Sequence, residues 1–168
     1  MLAVPDAWVA IDFTRQSVAD ALQRVRLSGI SDAALRRMME ALHSARELYA
    51  VDPASVNTDQ GFATNISAYC QQSGTTETGS SAYAYLLSAT AVADYVSHAH
   101  QVSAFKAVIG AIPGLRITTA LDRSGTLTAT TLAAAPKPDR ACFITYTDAH
   151  PRSSSAVLAT VMPTIRFT

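Results

Sequence analysis

Residues 113–131 read PGLRITTALDRSGTLTATT, and their apolar positions recur with a period of two. Leu115, Ile117, Thr119 and Leu121 alternate up to Asp122-Arg123-Ser124-Gly125, and Leu127, Ala129 and Thr131 alternate beyond it. Alternation puts successive side chains on opposite faces of a strand, and the glycine can supply the positive φ that tight hairpin turns require. The stretch therefore predicts a β-hairpin. Two further strands are expected at residues 141–147 and 156–162, flanking a turn-rich segment at 148–155, with residues 164–168 as an added edge.

Upstream of Pro113-Gly114 the period is helical. Residues 82 to about 110 are small or apolar on nearly every side through Val96 and then striped through Val102, Phe105, Val108, Ile109 and Ile112. A helix apolar all round is usually the buried centre of its fold. Nearer the N-terminus, Val18, Ala21, Leu22 and Val25 recur at i, i+3, i+4 and i+7, the stripe of an amphipathic helix that Ser28-Gly29 stops. Ser31 can cap a second helix carrying Leu35, Met38, Met39, Leu42 and Tyr49, which the Asp52-Pro53 step ends. A short helix is expected over residues 60–72 from the spacing of Phe62, Ile66, Tyr69 and Cys70, and a flexible Ser/Thr/Gly loop over residues 73–81.

These readings give one domain, residues 1–168, of the α+β class. An N-terminal helical hairpin and a long buried central helix (1–112) pack on a small C-terminal antiparallel sheet (113–168) that is too small to stand alone. Trp8 ahead of a short-linked pair of helices, residues 7 to about 50, resembles in outline the entry into the helical hairpins of rod-shaped plant virus coat proteins. No motif matches residue by residue, so no site is carried over.

Charge is the unusual axis of the composition. Of 168 residues, 49% are hydrophobic and only 15% are charged, against about 25% in an average domain. Thirteen basic and thirteen acidic residues cancel. Neutrality argues against a general affinity for nucleic acid or anionic membrane, which depends on clustered Lys and Arg. It also removes the repulsion that keeps copies apart. Six arginines decorate the first 52 positions, among them Arg36 and Arg37, but seven acidic residues lie there too; RNA is at most a weakly supported partner. No basic region followed by an apolar run opens the chain, and no apolar stretch is long enough to span a bilayer, so a cytoplasmic protein without membrane contact is expected. In such a compartment the two cysteines, Cys70 and Cys142, are expected as free thiols.

No stretch reaches the specificity of a catalytic signature: a Gly-x-Ser-x-Gly elbow, a P-loop, a Cys-x-x-Cys pair and a His-Glu-x-x-His motif are all missing. His98 and His100 could serve as metal ligands, with Asp94 one turn before His98. On a helix, however, residues two apart point in widely different directions, so joint ligation is poor. Cys70 with His150, oriented by Asp148, could form a thiol–imidazole arrangement for hydrolysis, although Ala-Tyr-Cys-Gln-Gln lacks the context of known nucleophile families. No cofactor is expected. The leading reading is a non-catalytic, self-associating structural or assembly subunit, of viral coat type at its most specific and a homo-oligomer in solution. Its expected interface is an apolar C-terminal edge strand, Val157, Val161, Ile165 and Phe167, with only Arg166 to guard it. The alternatives are the thiol hydrolase and a small binding module using the C-terminal sheet.

Overall fold

The computed structural model describes residues 2–12, 48–55, 63–96, 99–121, 127–148 and 154–167. Seven strands form one sheet: β1 (Val9–Asp12), β2 (Leu48–Val51), β3 (Asn65–Gln72), β4 (His100–Ile109), β5 (Ile112–Ala120), β6 (Thr128–Lys137) and β7 (Arg140–Asp148). Their order across the sheet is β1-β2-β3-β7-β6-β5-β4, and every neighbouring pair is antiparallel. The chain lays down β1 to β3 side by side, crosses to the far edge through α1 (Tyr83–Val96), and returns as the meander β4 to β7. β7 thus closes against β3 at the middle of the sheet, over eight register pairs from Asn65 opposite Thr147 to Gln72 opposite Arg140. A second helix, α2 (Ser154–Val161), runs into a 3-10 turn at Met162–Thr164.

Both faces of the sheet are apolar, and the alternation within each strand sorts the core into two layers. On one face Leu115, Ile117, Ala133, Ala135, Ala141 and Phe143 pack beneath Ala82, at the end of a 3-10 turn at Gly79–Ala82, and Leu86 of α1. On the other, Ile66, Ile109, Leu132, Ala134, Ile144 and Tyr146 pack beneath Leu158, Val161 and Ile165, with Trp8 and Leu2 of the N-terminal segment joining them. Adjacent residues of one strand serve opposite layers, as Phe143 and Ile144 do, so the sheet is the middle of three layers. The small side chains at Ala133, Ala134 and Ala135, all fully buried, let both layers approach it closely.

The expected helical hairpin and central helix on a small C-terminal sheet are therefore corrected to a seven-stranded antiparallel sheet with helices on both sides. Strands β5 and β6 stand where alternation places them, and β7 covers the strand expected at residues 141–147. The helix expected over residues 60–72 is β3, the second half of the long central helix is β4, and the strand expected at 156–162 is α2 with its following turn. Tyr49, assigned to the second amphipathic helix, lies in β2. The helices expected at 13–27 and from Ser31 fall, up to residue 47, outside the described residues. The Ser/Thr/Gly loop is irregular from Ser73 to Thr78, as expected, but it is tied down: the Ser73 amide donates to the Asp139 carbonyl at 2.8 Å, and the Asp139 amide to the Thr75 carbonyl at 3.0 Å.

Two of these departures have clear physical causes. Leu158, Val161 and Ile165 recur at i, i+3 and i+7 and are all buried against the sheet, a helical stripe whose β-branched content resembles that of a strand. In β4 the apparent helical stripe Val102, Phe105, Val108 is instead the exposed set of an edge strand. A bulge between Gln101 and Ser103 inserts Val102 as an extra residue and shifts the alternation.

Candidate functional site

The largest apolar exposure among the described residues lies on β4. Val102, Phe105 and Val108 are 62%, 63% and 65% exposed, and Leu87 of α1 is 40% exposed. Leu87 follows Tyr83 by one helical turn, and the Tyr83 ring lies 5.3 Å from the Lys106 ammonium of β4. That contact brings the outer stripe of α1 against the same strand. Large exposed apolar side chains gathered at one place mark association surfaces more often than scattered ones do.

Among the described residues β4 is the outermost strand at its end of the sheet, so its second row of backbone donors and acceptors faces outward. Its inner row pairs with β5 from His100 opposite Ala120 to Ile109 opposite Ile112. A two-residue turn joins the strands, with φ of 53° at Gly110 and 70° at Ala111, as type I′ hairpin turns require. Glycine is needed at 110 for a second reason: a Cβ there would stand 2.6 Å from the Ile165 carbonyl oxygen. Beside the turn is an open cleft of about 470 Å³ lined by Val108, Gly110, Ala111, Met162, Pro163 and Arg166. The Arg166 guanidinium donates to the carbonyls of Pro163 and Ile165, at 2.8 and 2.7 Å, and so braces the C-terminal segment.

The residues singled out from the sequence are placed differently from expectation. Cys70 and Cys142 are not free thiols; their sulfurs are bonded across β3 and β7. A sulfur held in a disulfide is no thiolate nucleophile, and His150 lies outside the described residues. Asp148 is buried at the end of β7, where Thr64 Oγ1 donates to its Oδ1 at 3.1 Å and Tyr146 Oη donates to its Oδ2 at 3.0 Å. His100 is the exposed first residue of β4; His98 lies outside the described residues. Among the described residues no three His, Cys, Asp or Glu side chains gather as a metal site would require. The expected C-terminal edge strand is a second correction: Val161 and Ile165 are buried in the core, and Val157 and Phe167 are half-buried against it. The apolar character read there belongs to the covering layer. The exposed strand is β4, whose outward apolar residues the helical reading absorbed.

Sheet, layers and edge together define a three-layer sandwich on an antiparallel sheet with one long exposed edge strand. No family model matches the chain, and no curated protein proves similar to it. A solved protein from Bacteroides thetaiotaomicron VPI-5482 superposes with a TM-score of 0.53 at 12% identity, over 99% of this chain and 44% of that one. The chain thus spans under half the length of that protein, and the likeness extends to the fold alone. The cyanobacterial PsbP (CyanoP) of Synechocystis sp. PCC 6803 aligns at a TM-score of 0.49 and 10% identity, over 98% of this chain and 84% of that one. No helix among the described residues is long and apolar enough to cross a membrane.

Proposed function

We propose that this protein is a non-catalytic, self-associating subunit and that its copies meet at the β4 edge. The observation that carries the reading is the location of Val102, Phe105 and Val108, all more than 60% exposed, on the outermost strand of a sheet whose two faces are covered by helices. Open edge strands recruit further strands unless charge, proline or a cover blocks them. β4 carries Lys106 as its one fully charged residue and no proline. The zero net charge of the chain leaves little long-range repulsion to oppose the approach of two copies. The disulfide supports an oxidising compartment over the cytoplasm, because thiol buffers keep cytosolic cysteines reduced.

Light scattering after size-exclusion chromatography tests the reading. Wild type loaded at about 50 μM, a concentration suited to affinities near −6 kcal/mol, is expected to elute as an oligomer. Phe105→Lys and Val108→Lys, at exposed positions, should keep the far-ultraviolet spectrum and elute as monomers. A monomeric wild type would overturn the proposal.

A further inference from the structure

Resting on that reading, we infer that the association closes as a two-fold dimer, with two copies of β4 paired antiparallel and Phe105 opposite Phe105 of the second copy. The argument begins with the faces of the strand. Ile109 and Ala107 join the α2-side core and Ala104 the α1-side core. Alternation back from Ile109 as far as the bulge therefore assigns Phe105 and Ser103 to the α2 side, and Val108, Lys106 and Ala104 to the α1 side. A two-fold axis perpendicular to the sheet reverses the strand direction while keeping each face on its own side. Every residue must then meet one of the same face, so the axis passes through a residue and not between two.

Three centres fall within the apolar stretch, and they differ chemically. An axis at Lys106 sets Lys106 against its own copy, a like-charge pair that destabilises a ladder. An axis at Ala104 sets Phe105 against Ser103 and carries Lys106 onto the bulge at Val102, where the ladder is broken. With the axis at Phe105, Ser103 meets Ala107, Ala104 meets Lys106, and the two Phe105 rings meet each other. The exposed Phe105 ring then finds an aromatic partner, and the ladder stops short of the bulge at Val102. The Lys106 ammonium is already drawn over the Tyr83 ring, so its place opposite Ala104 leaves no charge facing another directly.

The alternative to closure is a head-to-tail contact between β4 and the other edge of the sheet, β1, which would propagate without end. Among the described residues no large exposed apolar side chain lies on β1, whereas three lie on β4, so β4 matches its own copy better. The self-pairing of β4 spans five residues on each copy, Ser103 to Ala107. Two copies then share one continuous fourteen-stranded sheet, with their α1 layers on one side and their α2 layers on the other.

Cysteine cross-linking reads the register. Ala104→Cys and Lys106→Cys are made separately in the full chain, purified, mixed, and oxidised in air, and covalent dimer is followed on non-reducing gels against each variant alone. Cross-linking is expected at least tenfold faster in the mixture than in either variant alone, because residue 104 faces residue 106 of the other copy. Preferential cross-linking of Ala104→Cys with itself, or of Lys106→Cys with itself, would overturn the register in favour of the neighbouring axis. Sedimentation of the same samples separates the two claims: a wild-type monomer overturns the association itself, and a dimer without the mixed cross-link overturns this geometry alone.

Discussion

Cys70 and Cys142 stand directly opposite each other in the register of β3 and β7, with Cα atoms 4.0 Å apart and their sulfurs bonded. The bond lies where the two halves of the sheet meet, β1 to β3 on one side and the β4 to β7 meander on the other. It closes a loop of 72 residues, and the chain-entropy argument gives such a closure about 4 kcal/mol. The purified protein should show no reactive thiol until it is denatured and reduced. The Cys70→Ala/Cys142→Ala variant should unfold at lower denaturant concentration by about that amount while retaining its strand signal, because the eight β3–β7 register pairs remain. A loss below about 1 kcal/mol would mean that the bond does not constrain the unfolded chain.

Leu86 and Leu87 are neighbours on α1 with opposite surroundings, the first fully buried against the sheet and the second 40% exposed. Leu86→Ala should cost about 2–5 kcal/mol, as truncation in a packed core does. Leu87→Ala should cost about 0.5 kcal/mol or less, the range of ordinary surface substitutions. Urea denaturation of the two variants makes the comparison. Equal losses would mean that α1 is rotated about its axis.

The β4–β5 turn gives adjacent substitutions of opposite sign. Ala111 has a φ of 70°, a conformation that costs a residue with a Cβ about 1 kcal/mol. Ala111→Gly should therefore raise stability by up to that amount. Gly110→Ala adds a Cβ at the same kind of φ and places it 2.6 Å from the Ile165 carbonyl oxygen, so it should cost about 1–3 kcal/mol. Thermal denaturation reads both. A gain from Gly110→Ala would contradict the packing of the turn on Ile165.

Tyr49 is 3% exposed, and burial pushes its phenol well above its ordinary value, because the phenolate would lose its hydration. Below about pH 10 the phenol is neutral in both the folded and the unfolded chain, and stability is unaffected. Above it, the unfolded chain releases the proton and the folded chain holds it, so stability falls as pH rises. Absorbance titration of the six tyrosines should show at least one that ionises only as the fold is lost. In Tyr49→Phe the alkaline loss of stability should shrink.

The second half of the sheet is legible in the sequence because β5 and the start of β6 alternate and the strands are separated by strong turn residues. Elsewhere the local signal is double. Leu158, Val161 and Ile165 have helical spacing, yet Val157 and Val161 favour strands by their branching, and only burial against Ile144 and Leu132 decides for the helix. In β3, Ile66, Tyr69 and Cys70 fit a helical stripe, but Ile66 and Tyr69 serve opposite layers of the core. A central strand covered on both faces need not alternate in hydrophobicity. The candidate edge was hidden for a related reason. Phe105 and Val108 lie on opposite faces of β4 and are both exposed, so their spacing of three imitates a helical stripe, and no sequence pattern marks a strand as outermost, since that follows from the order in which strands pair. The disulfide depends on the same order: 72 residues separate the cysteines, and only the meeting of β3 with β7 brings them together.

The association surface is tested most directly by hydrogen–deuterium exchange in β4 at two concentrations, about 1 and about 100 μM, chosen to bracket micromolar affinity. The outward amides of residues 101–109 are open to water in one copy and bonded in a pair. Peptides covering those residues should exchange more slowly at the higher concentration, by a factor of about three for an affinity near −6 kcal/mol, while β6 and β7 at the sheet centre exchange alike at both. Exchange in β4 that is fast and identical at the two concentrations would contradict the account.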